Sequence, residues 1–397
     1  MHGPYRPTAD ADAPDAVSPP TPSHADPATR LSPMTLPLRP ELVGLKPYGA
    51  PQLDVPVCLN VNENPYAPPP SVVDAITAAV HKAAEGLNRY PDRDFHALRA
   101  DLASYLAAES HVDFLEVKNI WVANGSNEIM LHLHQAFGGP GRRVLSFAPT
   151  YSMYPEYARD TVTDFVTLER REDFSIDIEG AVAAIAEIRP TMVVLASPNN
   201  PTGTALPLEH VVALCRAADA VPGGCLVIVD EAYGEFRRKG VPSAASILPD
   251  HSNLVVTRTM SKAFALAGGR VGYMAAASEV VDACRVVRLP YHLSAVTQAT
   301  ARAALAHHRE LQAQVDEIRA ERDATVAWLR EQGYTVPDSD ANFALFGPFE
   351  DRDAIFQGLL DRGVLIRATG PEGYLRVSIG TPQEMSRFRA ALLEVTA

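Results

Sequence analysis

Cysteine is scarce in this chain: four among 397 residues, at Cys58, Cys215, Cys225 and Cys284, with no CxxC pair. That spacing excludes a disulfide framework and a zinc ribbon, and it suits a reducing cytoplasm. Basic residues are outnumbered, 35 Lys and Arg against 48 Asp and Glu, for a formal net charge of −13. A balance of that sign argues against a nucleic-acid partner. No apolar run approaches the ~20 residues of a membrane span. The phosphate cradles of nucleotide enzymes are missing, with no GxxxxGK[ST] and no GxGxxG opening a helix. A Gly-x-Ser-x-Gly hydrolase elbow is missing too. His132 and His134 lie two apart on a helical segment and face different ways, so no metal site is expected.

What is present is a globular composition, 47% hydrophobic and 21% charged, on a chain long enough for two domains. Residues 1–40 stand apart. They hold ten of the 33 prolines and few large apolar residues, too few to offset the entropy of ordering them. They are expected to form a disordered tail, with Met34 as an alternative start. Asp10, Asp12, Asp15 and Asp26 do not suit a transit peptide. Further on, Ser71 is expected to cap a helix carrying Val72, Val73, Ile76 and Val80. Short apolar runs at 120–123, 144–147, 162–168, 192–196, 226–229, 254–257 and 271–275 alternate with helical patterns such as 208–220. Continuous Val/Ile/Leu runs between helices predict an α/β fold with a mostly parallel sheet covered on both faces. A long helix is expected over 295–331. Strands at 343–346, 364–366 and 374–379 then alternate with helices at 352–361 and 383–395. The division expected is an N-terminal arm at 41–70, a large α/β domain at 71–294 and a smaller α+β domain at 295–397.

Sites in open α/β sheets form beyond the carboxyl ends of the strands. Asp230 ends the run Leu226-Val227-Ile228-Val229, and Tyr233 follows it. Asn199-Asn200-Pro201-Thr202-Gly203 follows Met192-Val193-Val194-Leu195. Lys262 sits in Thr259-Met260-Ser261-Lys262-Ala263-Phe264, eight residues before Arg270. Alone, Asp230 reads as a turn former and Lys262 as a solvated loop lysine. Together they are what a pyridoxal phosphate site requires. A carboxylate keeps a pyridine ring protonated, Asn200 and Tyr233 hold a phenolic oxygen, and a lysine amine with a depressed pKa attacks an aldehyde. The small residues Ala263, Ala265, Ala267, Gly268 and Gly269 around Lys262 imply close packing rather than a solvent loop. Ser126 and Asn127, after Gly125 at a strand-to-helix junction, offer free N–H groups and a helix dipole to a phosphate. Thr259, Ser261 and Arg270 complete that cup. The same Gly-Ser-x-Glu stretch also reads as an ordinary capping box. Tyr151 reads either as a ring-stacking residue or as a core tyrosine. Arg376, inside an apolar strand, is costly unless paired, by a substrate carboxylate or by an internal acid; Arg367 follows the strand before it.

Across residues 42–395 the chain resembles the fold-type I pyridoxal-phosphate aminotransferases, and within them the histidinol-phosphate aminotransferases. The cofactor motifs above carry the first likeness. Ala341-Asn342-Phe343 belongs to the same set, while Asn62-Glu63-Asn64-Pro65, Asn88-Arg89-Tyr90-Pro91-Asp92 and Pro290-Tyr291-His292-Leu293-Ser294 narrow it. The resemblance implies that Lys262 links covalently to the cofactor and shuttles a proton between substrate Cα and cofactor. It implies that Asp230 meets the ring nitrogen, Asn200 and Tyr233 the phenolic oxygen, and Tyr151 the ring face. Ser126, Asn127, Thr259, Ser261 and Arg270 would hold the phosphate. Tyr90 would reach the cofactor of a neighbouring subunit, which implies a homodimer. Arg376 would bind an α-carboxylate. Arg367, Tyr66, Asn62 and Asn342 would form the remaining substrate site. The implied reaction is ping-pong transamination of L-histidinol phosphate with 2-oxoglutarate, giving imidazole acetol phosphate and glutamate. Asn127 and His292 depart from the family's usual residues. Rival expectations on the same motifs are an aromatic amino-acid aminotransferase, a threonine-phosphate decarboxylase and a non-enzymatic cofactor-sensing regulator.

Overall fold

The computed structural model describes residues 37–46, 49 and 51–397. The tail expected at 1–40 therefore lies outside the described residues except for its last four. The chain divides into two units, Met1–Pro47 and Tyr48–Ala397. In the first, the described residues include a short 3-10 turn at Pro40–Leu42.

The strands of the second unit are β1 (Val57–Cys58), β2 (Ile120–Ala123), β3 (Arg143–Ala148), β4 (Asp164–Glu169), β5 (Met192–Ala196), β6 (Leu226–Asp230), β7 (Leu254–Thr259), β8 (Gly272–Ala276), β9 (Phe343–Phe346), β10 (Val364–Leu365), β11 (Arg367–Ala368) and β12 (Leu375–Ser378). Its α-helices are α1 (Pro70–Ala84), α2 (His96–Ser110), α3 (Ser126–Phe137), α4 (Tyr154–Asp160), α5 (Ile178–Ile188), α6 (Leu208–Asp219), α7 (Ser278–Val287), α8 (Ala295–Ala306), α9 (His308–Glu331), α10 (Arg352–Asp361) and α11 (Pro382–Thr396). A seven-stranded sheet runs in the order β2-β8-β7-β6-β5-β3-β4. Only β8 opposes its neighbours, pairing antiparallel with β2 and β7. Strands β5, β7 and β8 are buried along their whole length, as the continuous apolar runs require for a sheet covered on both faces.

Register decides what shares an edge. Ala196 pairs with Asp230, and Asp230 with Thr257. The loops after β5, β6 and β7 therefore leave the sheet side by side. On the other flank, Ala123 and Thr259 both pair with Gly272. A Cβ at Gly272 would lie 2.2 Å from the Ser126 nitrogen, so only glycine lets β8 pass beneath the turn between β2 and α3.

A second, three-stranded antiparallel sheet has the order β11-β12-β9, with Arg367 opposite Arg376. Beside it, β1 pairs in parallel with β10, and Ser378 N donates to Leu59 O at 2.9 Å. The segment before α1 is thus fixed to strands more than 300 residues away.

Three local expectations change. The long helix breaks at His307, which leaves the helical region with φ −108° and ψ 19°; no proline or glycine marks the break. The first helix starts at Pro70 behind Pro69, not at a Ser71 cap, because a proline fits the first turn without losing a bonded N–H. The fourth strand begins at Asp164, since Val162 takes a left-handed φ of 55° and turns the chain before it. Among the described residues no helix is long and apolar enough to cross a membrane.

Candidate functional site

A cavity of about 500 Å³ opens where the loops after β5, β6 and β7 meet the turn before α3 and strands β11 and β12. Its walls include Asn62, Ser126, Asn127, Tyr151, Asn200, Asp230, Tyr233, Thr259, Ser261, Lys262, Arg270, Arg367 and Arg376. Three other residues singled out in the sequence do not line it. Tyr90 is 79% exposed and stacks on Tyr291 with ring centroids 4.4 Å apart. Tyr66 is half-buried, its hydroxyl pushed up to about 12 by burial and by its hydrogen bond with Glu317. Asn342 is fully buried and donates to the Asn62 carbonyl at 3.0 Å.

Lys262 reaches back to the arm, where its Nζ donates to Val61 O at 2.9 Å. Burial pushes its amine down to about 8; Arg376 and Arg270 add to the effect, and Glu63 opposes it. Lowering of that size makes the neutral, nucleophilic amine accessible near neutral pH.

Asp230, the last residue of β6, is buried and its carboxyl is raised above the usual range by desolvation. Tyr154 Oη and Thr257 Oγ1 each donate to it at 3.0 Å, and Ala232 N at 3.2 Å, which pulls the other way. Such a carboxylate is ready for a cation. A protonated ring nitrogen would supply the charge whose absence makes burial costly.

At the other end of the cavity, Gly125 precedes α3 with φ 88°. A Cβ there would meet Arg270 Nη2 at 2.5 Å, so the glycine lets a guanidinium lie against the turn. Ser261 N donates to Thr259 Oγ1 at 3.1 Å, and Arg270 Nη1 donates to Ala267 O at 3.0 Å. With the first N–H groups of α3 these hydroxyls and the guanidinium make a cup for a dianion. The capping alternative fails in detail. Gly125, not Ser126, is the cap, and Glu128 accepts from Asn124 N at 2.6 Å and Asn124 Nδ2 at 2.8 Å.

Between carboxylate and cup stand Asn200 and Tyr233. Asn62 Nδ2 donates to the Tyr233 hydroxyl at 3.0 Å, and Asn200 Nδ2 does so at 3.4 Å. Arg376 Nη1 donates to Asn200 Oδ1 at 2.5 Å and Nη2 to Asn60 O at 2.9 Å, while its guanidinium lies 5.1 Å from the Phe343 ring centroid.

Two buried residues near the site, Tyr154 and Arg258, escaped sequence reasoning. Tyr154, on the Asp230 carboxylate, gives no local signal. Arg258 is fully buried in β7 and pairs with Glu231 at 2.7 Å, Glu109 at 2.9 Å and Glu235 at 3.0 Å. An arginine inside an apolar strand, the signal that singled out Arg376, would have found it. His292 stacks on Trp121 at 5.5 Å, and its Nε2 bonds Val122 O at 2.9 Å, so it packs beneath β2.

The donor set suits one group with four handles: an aldehyde for Lys262, a basic ring nitrogen for Asp230, a phenolic oxygen for Asn200 and Tyr233, and a phosphate for the cup. Fold and site together define a fold-type I, pyridoxal-phosphate-dependent transferase. Residues 55–392 match the model of the family "Aminotransferase class I and II", and the chain belongs to that family. It is 59% identical over 362 residues to histidinol-phosphate aminotransferase 3 of Burkholderia lata, covering 91% of this chain and 96% of that one. It is 56% identical to the histidinol-phosphate aminotransferase of Bifidobacterium longum, covering 91% and 97%. Among solved structures, the histidinol-phosphate aminotransferase of Sinorhizobium meliloti in complex with pyridoxal-5'-phosphate aligns with a TM-score of 0.79 at 27% identity, covering 91% of this chain and 98% of that one.

Proposed function

We propose that this protein transfers the amino group of L-histidinol phosphate to 2-oxoglutarate, with pyridoxal phosphate, as a cytoplasmic homodimer. The observation that carries the substrate reading is the pairing of Arg367 with Arg376 across β11 and β12 on one cavity wall. Arg367 there suits an anion at the far end of the substrate from its amine, and Arg376 suits an α-carboxylate where the substrate has one. A phosphate fills that place in one half-reaction and the side-chain carboxylate of glutamate in the other. Histidinol phosphate has no α-carboxylate, so Arg376 acts mainly in the glutamate half-reaction. The names of the relatives point to the same substrate. The exposed Tyr90–Tyr291 pair, with Leu87 and Leu289 also exposed, supports the dimer.

The residues divide the work. Lys262, its amine lowered to about 8, offers the nucleophile in its neutral form and then carries a proton to and from the substrate Cα. Asp230 would hold a proton on the ring nitrogen. Tyr233 and Asn200 would stabilise negative charge on the phenolic oxygen. The cup at α3 and Arg270 would anchor the phosphate. When bound, pyridoxal phosphate supplies the electron sink for the bond broken at Cα.

The test mixes purified protein, cofactor and 2-oxoglutarate with histidinol phosphate or phenylalanine and measures glutamate. Glutamate from histidinol phosphate is expected. A strong preference for phenylalanine, or CO₂ from threonine phosphate with no glutamate, would overturn the reading.

A further inference from the structure

Asn62, one of the residues expected to touch substrate, lines the cavity and is also held by several protein partners. It is 2% exposed and holds a left-handed φ of 55°, which asparagine tolerates better than most residues. Its polar atoms face protein. Ser378 Oγ accepts the Asn62 backbone N–H at 2.9 Å and gives its own proton to Asn62 Oδ1 at 2.8 Å. Asn342 Nδ2 donates to the Asn62 carbonyl. That leaves Asn62 Nδ2 turned to the Tyr233 hydroxyl at 3.0 Å. The second amide on that hydroxyl is also fixed in sense. Arginine has no acceptor, so Arg376 must meet the oxygen of Asn200, and Asn200 Nδ2 faces Tyr233.

We infer that Asn62 is a positioning residue that sets the direction of the Tyr233 hydroxyl proton. Two N–H donors on one phenol oxygen occupy its lone pairs, so the phenol can enter a further hydrogen bond only as a donor. A group in the cavity with an acceptor oxygen beside Tyr233 can then bond to that hydroxyl only by accepting its proton. The arm and β12 enforce this sense, because Asn62 is held by Ser378 and Asn342 and not by the large sheet. The same segment holds Lys262 through Val61 O. One stretch of chain therefore sets both the resting place of the nucleophile and the polarity of the hydroxyl.

This inference rests on the cofactor reading above, in which the acceptor is the phenolic oxygen. Its test is a pH titration of the visible absorbance of the cofactor-loaded protein, which does not depend on turnover. Asn62→Asp keeps the size and the left-handed backbone but replaces the donor with an acceptor, drawing the Tyr233 proton away from the ligand. Its titration midpoint should rise by about one pH unit, since losing one hydrogen bond to the charged form is worth roughly that much. Asn62→Ala, which frees the hydroxyl to rotate, should raise the midpoint by less. Both shifts should shrink sharply in a Tyr233→Phe background, where no proton is left to direct. Shifts of equal size with and without the Tyr233 hydroxyl, or no shift at all, would overturn the inference while leaving the cofactor reading intact. A wild-type protein with no titrating band would overturn both.

Discussion

The two walls of the cavity are built in different ways. One wall hangs from the parallel strands β5, β6 and β7, which deliver Asn200, Asp230 and Lys262 from neighbouring edges of one buried sheet. The other is assembled from the arm at Val61 and Asn62 and from β11 and β12, across gaps of up to 316 residues. The first is rigid because each strand is paired on both sides. The second depends on a short parallel pair, β1 with β10, and on a few side-chain bonds. On the proposed reading, the chemistry that must not move would sit on the sheet, and recognition of different substrates in successive half-reactions would sit on the less continuous wall.

The largest expected effect tests the sheet wall. Asp230→Asn keeps the shape but removes the charge, and it turns one of the two oxygens that accept from Tyr154 and Thr257 into a donor. Turnover in both half-reactions should fall by about 10²–10³-fold, as when one preorganised electrostatic partner is lost. Single-turnover kinetics with each substrate would measure it. A loss confined to one substrate would break the comparison, because the sheet wall would then be reading substrate.

A smaller and one-sided effect tests the other wall. Arg367→Gln removes a cation from β11 but none from the sheet. KM for histidinol phosphate should rise by roughly 10–100-fold, the scale of a charge-assisted hydrogen bond. The cofactor's absorbance should stay as in the wild type. An unchanged KM would place the phosphate elsewhere and leave Arg367 without a substrate role.

The same contrast explains what could be read from the sequence. Asn200, Asp230 and Lys262 were legible because a parallel strand ends in a short loop, so local order along the chain already implies adjacency. Arg376 was legible by its cost, an arginine in an apolar strand. The anchoring of Asn62 was not legible, because nothing near it in the chain reveals Ser378, its partner 316 residues away. Tyr154 was missed because the first turn of a helix after Tyr151 carries no mark of facing Asp230. The break at His307 was missed because no breaker residue stands there. Local pattern shows elements and strand ends; it does not show which distant segment closes over them.

The smallest effect links the two walls. Lys262 belongs to the sheet wall, yet after burial the largest influence lowering its amine to about 8 is Arg376 on the other. The neutral amine attacks the cofactor, so capture by the cofactor-free protein should accelerate through a midpoint at about pH 8. The linkage to stability has a definite sign. The unfolded lysine keeps its proton up to 10.5 while the folded one loses it near 8, so the unfolded chain binds more protons between those values. This group's contribution to stability therefore rises with pH across that window and is at its most unfavourable below it. Removing the cation with Arg376→Gln should move the capture midpoint upward by a fraction of a pH unit, because burial, the larger cause, remains. Stopped-flow absorbance across pH would measure both proteins. A midpoint that does not move would mean that burial alone tunes Lys262. The two walls would then share a cavity without sharing its electrostatics.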